Sequence, residues 1–131
     1  MINFTDRNTR FSFLEGYTGE RSKGKDTPAD LANSNIICSD MVDMDGFHMP
    51  VIDLDVPVYI LPSSTKGNSH LYIDVPVRVD KYMELLHLLA DMGIVERGYA
   101  GVSERKGYSS VRLPWVKKVD PPETLPSLPP F

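Results

Sequence analysis

The chain has 131 residues, of which 41% are hydrophobic and 24% are charged, a composition typical of one folded globular domain. The formal net charge of -4 argues against a general attraction to nucleic acid or anionic lipid, so any phosphate contact requires a local basic patch. A single cysteine, Cys38, excludes an internal disulfide bond. Because the chain shows neither a signal-peptide pattern nor an apolar run of about 18 residues, we expect a cytoplasmic protein that does not enter membranes.

The first half of the sequence predicts an irregular arm followed by a β-hairpin. Residues 1–35 mix glycine, proline and polar residues, and several aromatic side chains would pin this arm to the body of the protein. The strongest strand signal lies in residues 49–61, which are rich in β-branched side chains, and Pro57 breaks this strand or places it at an edge. A polar turn at 62–68 leads to a second predicted strand at 69–75. Two strands joined in this way most simply form a hairpin.

The second half predicts one helix followed by two strands and a tail. Apolar residues recur at three- and four-residue spacing over 79–92, which is typical of an amphipathic helix, and Gly93 supplies its stop. Residues 94–102 and 109–116 are expected to form two further strands. The last segment, 120–131, holds five prolines and is expected to be an extended tail.

This order of elements predicts an α+β fold, with a small antiparallel-rich sheet and one main helix packed on one face. The predicted chain has three parts. They are an irregular N-terminal arm at 1–35, an α+β core domain at 36–119 and a Pro-rich C-terminal tail at 120–131.

Two aspartates, Asp53 and Asp55, are the first candidate site. Residues two apart on a strand project from the same face, so these carboxylates would repel each other unless a cation lay between them. Mg²⁺ and Mn²⁺ prefer such oxygen ligands, often with a substrate phosphate completing the shell. The pair therefore predicts either a divalent-metal site or a face that is solvated or paired with Arg and Lys of a neighbouring strand.

Candidate phosphate ligands lie in the rest of the predicted hairpin and beyond it. His70 falls on the second strand, where a protonated imidazole can bind phosphate and a neutral one can ligate a metal; a merely packed or exposed histidine is the alternative. The preceding turn offers hydroxyls, a flexible glycine and the ammonium of Lys66. Ser69 begins the second strand, and Arg112 lies on a later predicted strand.

Basic and aromatic residues are interleaved in the C-terminal part of the sequence. The residues are Arg97, Tyr99, Arg105, Lys106, Tyr108, Arg112, Trp115, Lys117 and Lys118. Such a mixture suits single-stranded nucleic acid, because bases stack on aromatic rings while cations follow the backbone. The same mixture also occurs in an ordinary hairpin, which is the favoured alternative.

Two stretches carry a likeness to a known family. Val51-Ile-Asp-Leu-Asp-Val56 is a hydrophobic segment with an Asp-X-Asp pair, and Thr65-Lys-Gly-Asn-Ser-His-Leu-Tyr72 reaches a histidine through a glycine-containing turn. Together they resemble the first two motifs of the archaeo-eukaryotic primase, or primase–polymerase, superfamily. The resemblance implies an RRM-like sheet, divalent metals held by Asp53 and Asp55, and a nucleotide phosphate contacted by His70.

The longer stretch from Asp45 to Lys117 is similar to small proteins encoded by bacteriophages of actinobacteria. The shared features are a Pro-Val-Ile-Asp-like segment, a Pro-Ser-Ser-Thr turn, a His-Leu-Tyr strand and a Gly-Ile-Val-Glu-X-Gly-Tyr segment. This resemblance implies a phage origin and a location in the host-cell cytoplasm. The resemblance implies no particular activity.

Two functions follow from these observations. The first hypothesis is a non-catalytic interaction protein that engages a host or phage protein, with the Pro-rich tail and the aromatic arm as its contacting parts. The alternative is a minimal primase-like domain that binds a nucleotide or single-stranded nucleic acid. In the alternative, Mg²⁺ or Mn²⁺ sits at Asp53 and Asp55, phosphate is held by His70, Lys66, Ser69 and Arg112, and catalysis is left open.

Overall fold

A computed structural model describes residues 2–12 and 26–117. The α+β class is confirmed, with five strands and two helices in the described residues. These are β1 Arg7–Phe11, β2 Thr27–Pro28, β3 Ile36–Met41, β4 Val58–Pro62, β5 Ser69–Ile73, α1 Val79–Asp91 and α2 Arg97–Lys106. The chain divides into two compact units, Met1–Asp53 and Leu54–Phe131. The predicted Pro-rich tail at 120–131 lies outside the described residues.

The first unit contains a three-stranded antiparallel sheet in the order β2-β1-β3. Strand β1 lies in the segment that was predicted to be irregular, so that part of the prediction is wrong. Its residues Arg-Asn-Thr-Arg-Phe are mostly polar and give no apolar alternation from which a strand could be read. The pairing with β3 runs from Arg10↔Ile36 to Arg7↔Met41 and contains an irregularity between Arg7 and Thr9.

Polar side chains hold this sheet together. The Nη1 and Nη2 atoms of Arg10 donate to the two carboxylate oxygens of Asp40 at 2.8 and 2.6 Å, and Asn8 Nδ2 donates to Asp40 Oδ2 at 2.8 Å. Because Arg10 donates to its charged form, the pKa of Asp40 lies well below its usual range. The same contact raises the pKa of Arg10. A charge-assisted pair therefore links β1 to β3 across the sheet.

The predicted hairpin is confirmed in the second unit. Strands β4 and β5 pair antiparallel from Val58↔Ile73 to Pro62↔Ser69. The turn is closed by Ser63 N–H donating to Asn68 O at 3.0 Å, and Gly67 takes the left-handed φ of 87° that the turn requires.

The first strand of the hairpin is shorter than predicted, because residues 49–57 do not form a strand. The last ladder contact upstream is Asp74 N–H donating to Pro57 O at 2.9 Å. Beyond Asp74 the partner segment meets Pro76, which has no N–H to donate. Residues 50–56 therefore pair with no strand of the described chain.

Helix α1 is confirmed within one residue of its predicted end. It closes in a Schellman motif, in which Ile94 N–H donates to Leu89 O at 2.8 Å and Gly93 N–H to Ala90 O at 3.0 Å. Gly93 has a φ of 76°, as expected for a glycine just beyond a helix end. No helix in the described part of the chain is long and apolar enough to span a membrane.

The segment after α1 differs from the prediction. Residues 97–106 form helix α2 rather than a strand, and residues 109–116 contain no strand. Helix α2 packs against α1, so α1 is covered by a second helix rather than by a strand. The buried core of the pair consists of Leu86, Ala90 and Ala100. Small side chains at the contact let the two helices lie close together.

Candidate functional site

The two aspartates predicted as metal ligands lie outside any strand. Asp53 and Asp55 are both exposed, and neither forms an ion pair with a described residue. The expectation of twin carboxylates on one face of a strand is therefore wrong. Water can solvate each carboxylate separately, so a cation is not needed to relieve their repulsion. Within residues 2–12 and 26–117, no group of three or more His, Cys, Asp or Glu side chains is placed to hold a metal ion.

Two of the predicted phosphate ligands, His70 and Arg112, do come together in the second unit. They line one groove of about 360 Å³ between the hairpin turn and the segment that follows α2. His70 is half-buried on β5, opposite Leu61 of β4. Arg112 is held at the turn because its Nη1 donates to Ser64 Oγ at 3.3 Å.

The lining of this groove, which we call the basic groove, combines basic and apolar side chains. Lys117 joins Arg112 and His70, and no acidic residue of the described chain lines it. The hydroxyls of Ser63 and Ser64 supply further hydrogen-bonding groups. The full lining is Leu61, Pro62, Ser63, Ser64, His70, Arg112, Leu113, Pro114, Val116 and Lys117. A local concentration of positive charge on an acidic protein is the kind of patch that an anion would require.

The other two predicted phosphate ligands do not line the basic groove. Lys66 is exposed in the hairpin turn, and Ser69 is exposed at the start of β5, opposite Pro62. Ser64 and Lys117 also line it, although they were predicted only as part of the hydroxyl-bearing turn and of the interleaved basic and aromatic residues. Their position depends on the chain after α2 returning to the turn 48 residues earlier, and local sequence carries no signal for that contact.

A second surface of the hairpin was not predicted. Val58 lies directly opposite Ile73, and Ile60 lies directly opposite Leu71, so these four side chains share one face. Ile60, Leu71 and Ile73 are 66%, 57% and 45% exposed. We call these four residues the aliphatic face. His70 and Leu61, which line the basic groove, point to the opposite side of the hairpin.

The hairpin contributes no buried side chain to the second unit. The buried core there comes from α1 and α2, with Tyr82, Met83, Val95 and Tyr99 packed against it. A two-stranded hairpin on its own is marginally stable in water. The aliphatic face is therefore an apolar surface without a cover in the described chain.

Comparisons with models of known protein families, with curated proteins and with solved structures found no match.

Proposed function

We propose that this chain is a non-catalytic interaction protein that binds another protein through the aliphatic face. The observation that carries the proposal is the exposure of Ile60, Leu71 and Ile73 on one side of a hairpin whose side chains join no core. Contiguous apolar surface of this kind marks interaction sites in soluble proteins. The resemblance to bacteriophage proteins makes a host or phage protein in the host cytoplasm the expected partner.

The chemistry of the aliphatic face favours a protein over the other classes of partner. The four side chains are aliphatic and carry no charge, so they offer nothing that pairs with phosphate. The net charge of -4 opposes binding to anionic lipid. An apolar protein surface would remove the leucine and isoleucines from water, at about 25 cal/mol for each Å² of apolar surface buried. Such a contact would also order a hairpin that is marginal alone.

Photo-crosslinking in cells tests this proposal by position. A photoreactive amino acid at position 60 should give a discrete adduct with one partner protein, whereas the same group at position 88 should not. Leu88 is the matched control because it is an aliphatic residue, 54% exposed, on α1 and outside the aliphatic face. Equal adducts from both positions, or none from position 60, would remove the basis of the proposal. An adduct of twice the chain's own mass would identify the partner as a second copy.

A second candidate function is the binding of a nucleotide or single-stranded nucleic acid by its phosphate in the basic groove. The observation that favours it is the meeting of His70, Arg112 and Lys117 beside the Ser63 and Ser64 hydroxyls. The groove volume falls within the usual range for small-molecule sites. The primase-like resemblance adds Mg²⁺ or Mn²⁺ at Asp53 and Asp55, a part of the hypothesis that rests on the motif alone.

Calorimetric titration with ADP separates the two parts of this candidate. If the basic groove binds phosphate, ADP should bind without metal, and Arg112→Gln should weaken binding by about tenfold, the cost of one charged hydrogen bond. Arg105→Gln on α2 is the control, because it removes the same charge from a residue outside the groove lining. If the aspartates act as well, Mn²⁺ should tighten binding in the wild type but not in Asp53→Asn. No heat with ADP, with or without Mn²⁺, would rule out this candidate for mononucleotides.

A further inference from the structure

A separate groove of about 480 Å³ lies against β1 in the first unit. Phe4, Leu31 and Val42 supply exposed apolar side chains to its lining. Arg7 is the cation in its described lining, and Asp30 is the acid. This volume lies within the range of small-molecule sites, which are mostly apolar with a few polar groups that orient the ligand.

The hydrogen-bond donors of Arg7 are poorly satisfied in the folded protein. Its Nε is shielded from solvent and has no acceptor. Its Nη1 donates to Asn3 O at 3.4 Å, which is long for an N–H···O bond. Arg10, three residues further along the same strand, gives the contrast, because Asp40 accepts from both of its Nη atoms. A shielded donor without an acceptor is unfavourable, so the site favours a ligand that supplies one.

The charges around Arg7 select the kind of acceptor. A guanidinium presents a planar fork that matches a carboxylate in two parallel hydrogen bonds. Asp30 does not fill this role, because it forms no ion pair with Arg7, and its Oδ1 accepts from Asn33 N–H at 3.0 Å and from Asn33 Nδ2 at 2.7 Å. Its negative charge in the lining nevertheless opposes a second negative charge on the ligand. One cation and one acid therefore favour a monoanion over a dianionic phosphate.

We propose that this groove binds a small monocarboxylic acid with an apolar body. The carboxylate pairs with the guanidinium of Arg7, whose side chain is half-buried. The apolar body packs against Phe4, Leu31 and Val42. This site is independent of the proposed protein partner, since the groove and the hairpin lie in different units.

Nuclear magnetic resonance of the full chain with 3-phenylpropionate as the probe tests this site. The Nε–H resonance of Arg7, assigned by its disappearance in Arg7→Lys, should shift on titration together with the backbone amides of Thr5 and Val42. The uncharged analogue 3-phenylpropanamide should bind about tenfold more weakly, because it lacks the charge that pairs with the guanidinium. This comparison uses the wild-type protein, so it does not depend on the folding of a variant.

Two variants then assign the effect to Arg7. Arg7→Gln should abolish the difference between the acid and the amide. Arg78→Gln removes an equal charge from an arginine in the second unit, with its side chain 86% exposed, and should preserve the difference. Equal affinity of the acid and the amide for the wild type would overturn the proposal. So would the absence of any shift at millimolar acid, or shifts that persist unchanged in Arg7→Gln.

Discussion

Replacing Asp40 with Asn is expected to destabilise the first unit by about 1–2 kcal/mol. The variant keeps the shape of the side chain but loses the charge that accepts two bonds from Arg10 and one from Asn8. A hydrogen bond to a charged group contributes about 1.5–3 kcal/mol when well shielded. The side chains of Arg10 and Asp40 are 28% and 33% exposed, so solvent screening lowers the expected cost.

The pH dependence of this pair follows from the depressed pKa of Asp40 in the folded protein. A carboxyl group with a lowered folded-state pKa stabilises the fold fully above its unfolded pKa, which is about 3.9. That stabilisation is lost as the pH falls through the lower folded-state pKa. The wild type should therefore lose its advantage over Asp40→Asn progressively below about pH 4.

Urea unfolding, followed through the backbone amide signals of β1 and β3, would measure this effect in the first unit alone. Asp43→Asn is the matched control, because Asp43 is exposed in the same unit and forms no ion pair with a described residue. Equal destabilisation by the two substitutions would refute the role given to the Arg10–Asp40 pair. A stability difference between wild type and Asp40→Asn that stays constant in acid would refute its electrostatic origin.

Two further predictions concern the helical pair and use thermal unfolding by far-UV circular dichroism. Leu86→Ala should cost about 2–4 kcal/mol, because Leu86 is only 4% exposed and its removal leaves a cavity. Leu88→Ala on the same helix should change stability by less than about 0.5 kcal/mol, so similar costs would contradict this account of the core. Gly93→Ala should cost about 1 kcal/mol because of the positive φ, whereas Gly98→Ala should be neutral or stabilising. A neutral Gly93→Ala would argue against the left-handed helix end.

The elements that were predicted correctly are those whose signals are local. Helix α1 carries apolar side chains at helical spacing and a glycine at its end, and both features act within a few residues. The hairpin joins two segments rich in aliphatic and aromatic residues through a polar turn that contains Gly67, so its register is also determined locally. The α+β class followed from these two elements.

The elements that were missed depend on contacts between distant residues. Strand β1 is polar and is recognisable only through its pairing with β3, which lies some thirty residues away in sequence. Residues 94–102 contain β-branched and aromatic side chains that favour a strand, but Gly93 reverses the chain and packing of Ala100 against α1 stabilises a helix instead. Tertiary contacts thus override the local preference in both cases.

The candidate sites, like the elements of the fold, were predicted only in part. His70 and Arg112 were chosen as phosphate ligands for their chemistry, and the structure brings them into one groove. Asp53 and Asp55 were placed on a strand because of the β-branched residues around them, but no partner strand reaches them. The exposure of the aliphatic face was not predicted, because one of the two faces of a hairpin is expected to be covered by the rest of the protein. Only the structure reveals that neither α1 nor α2 covers it.

The most direct test of the proposed function is the affinity of the crosslinked partner for purified variants of the chain. Leu71→Glu should weaken binding by at least about tenfold, since it puts a charge on the aliphatic face and removes a leucine whose burial contributes about 1.5–3 kcal/mol. Leu88→Glu, an identical change at an exposed leucine on α1, should leave the affinity unchanged. Equal affinity of the wild type and Leu71→Glu would contradict the claim that this face is where the protein binds its partner.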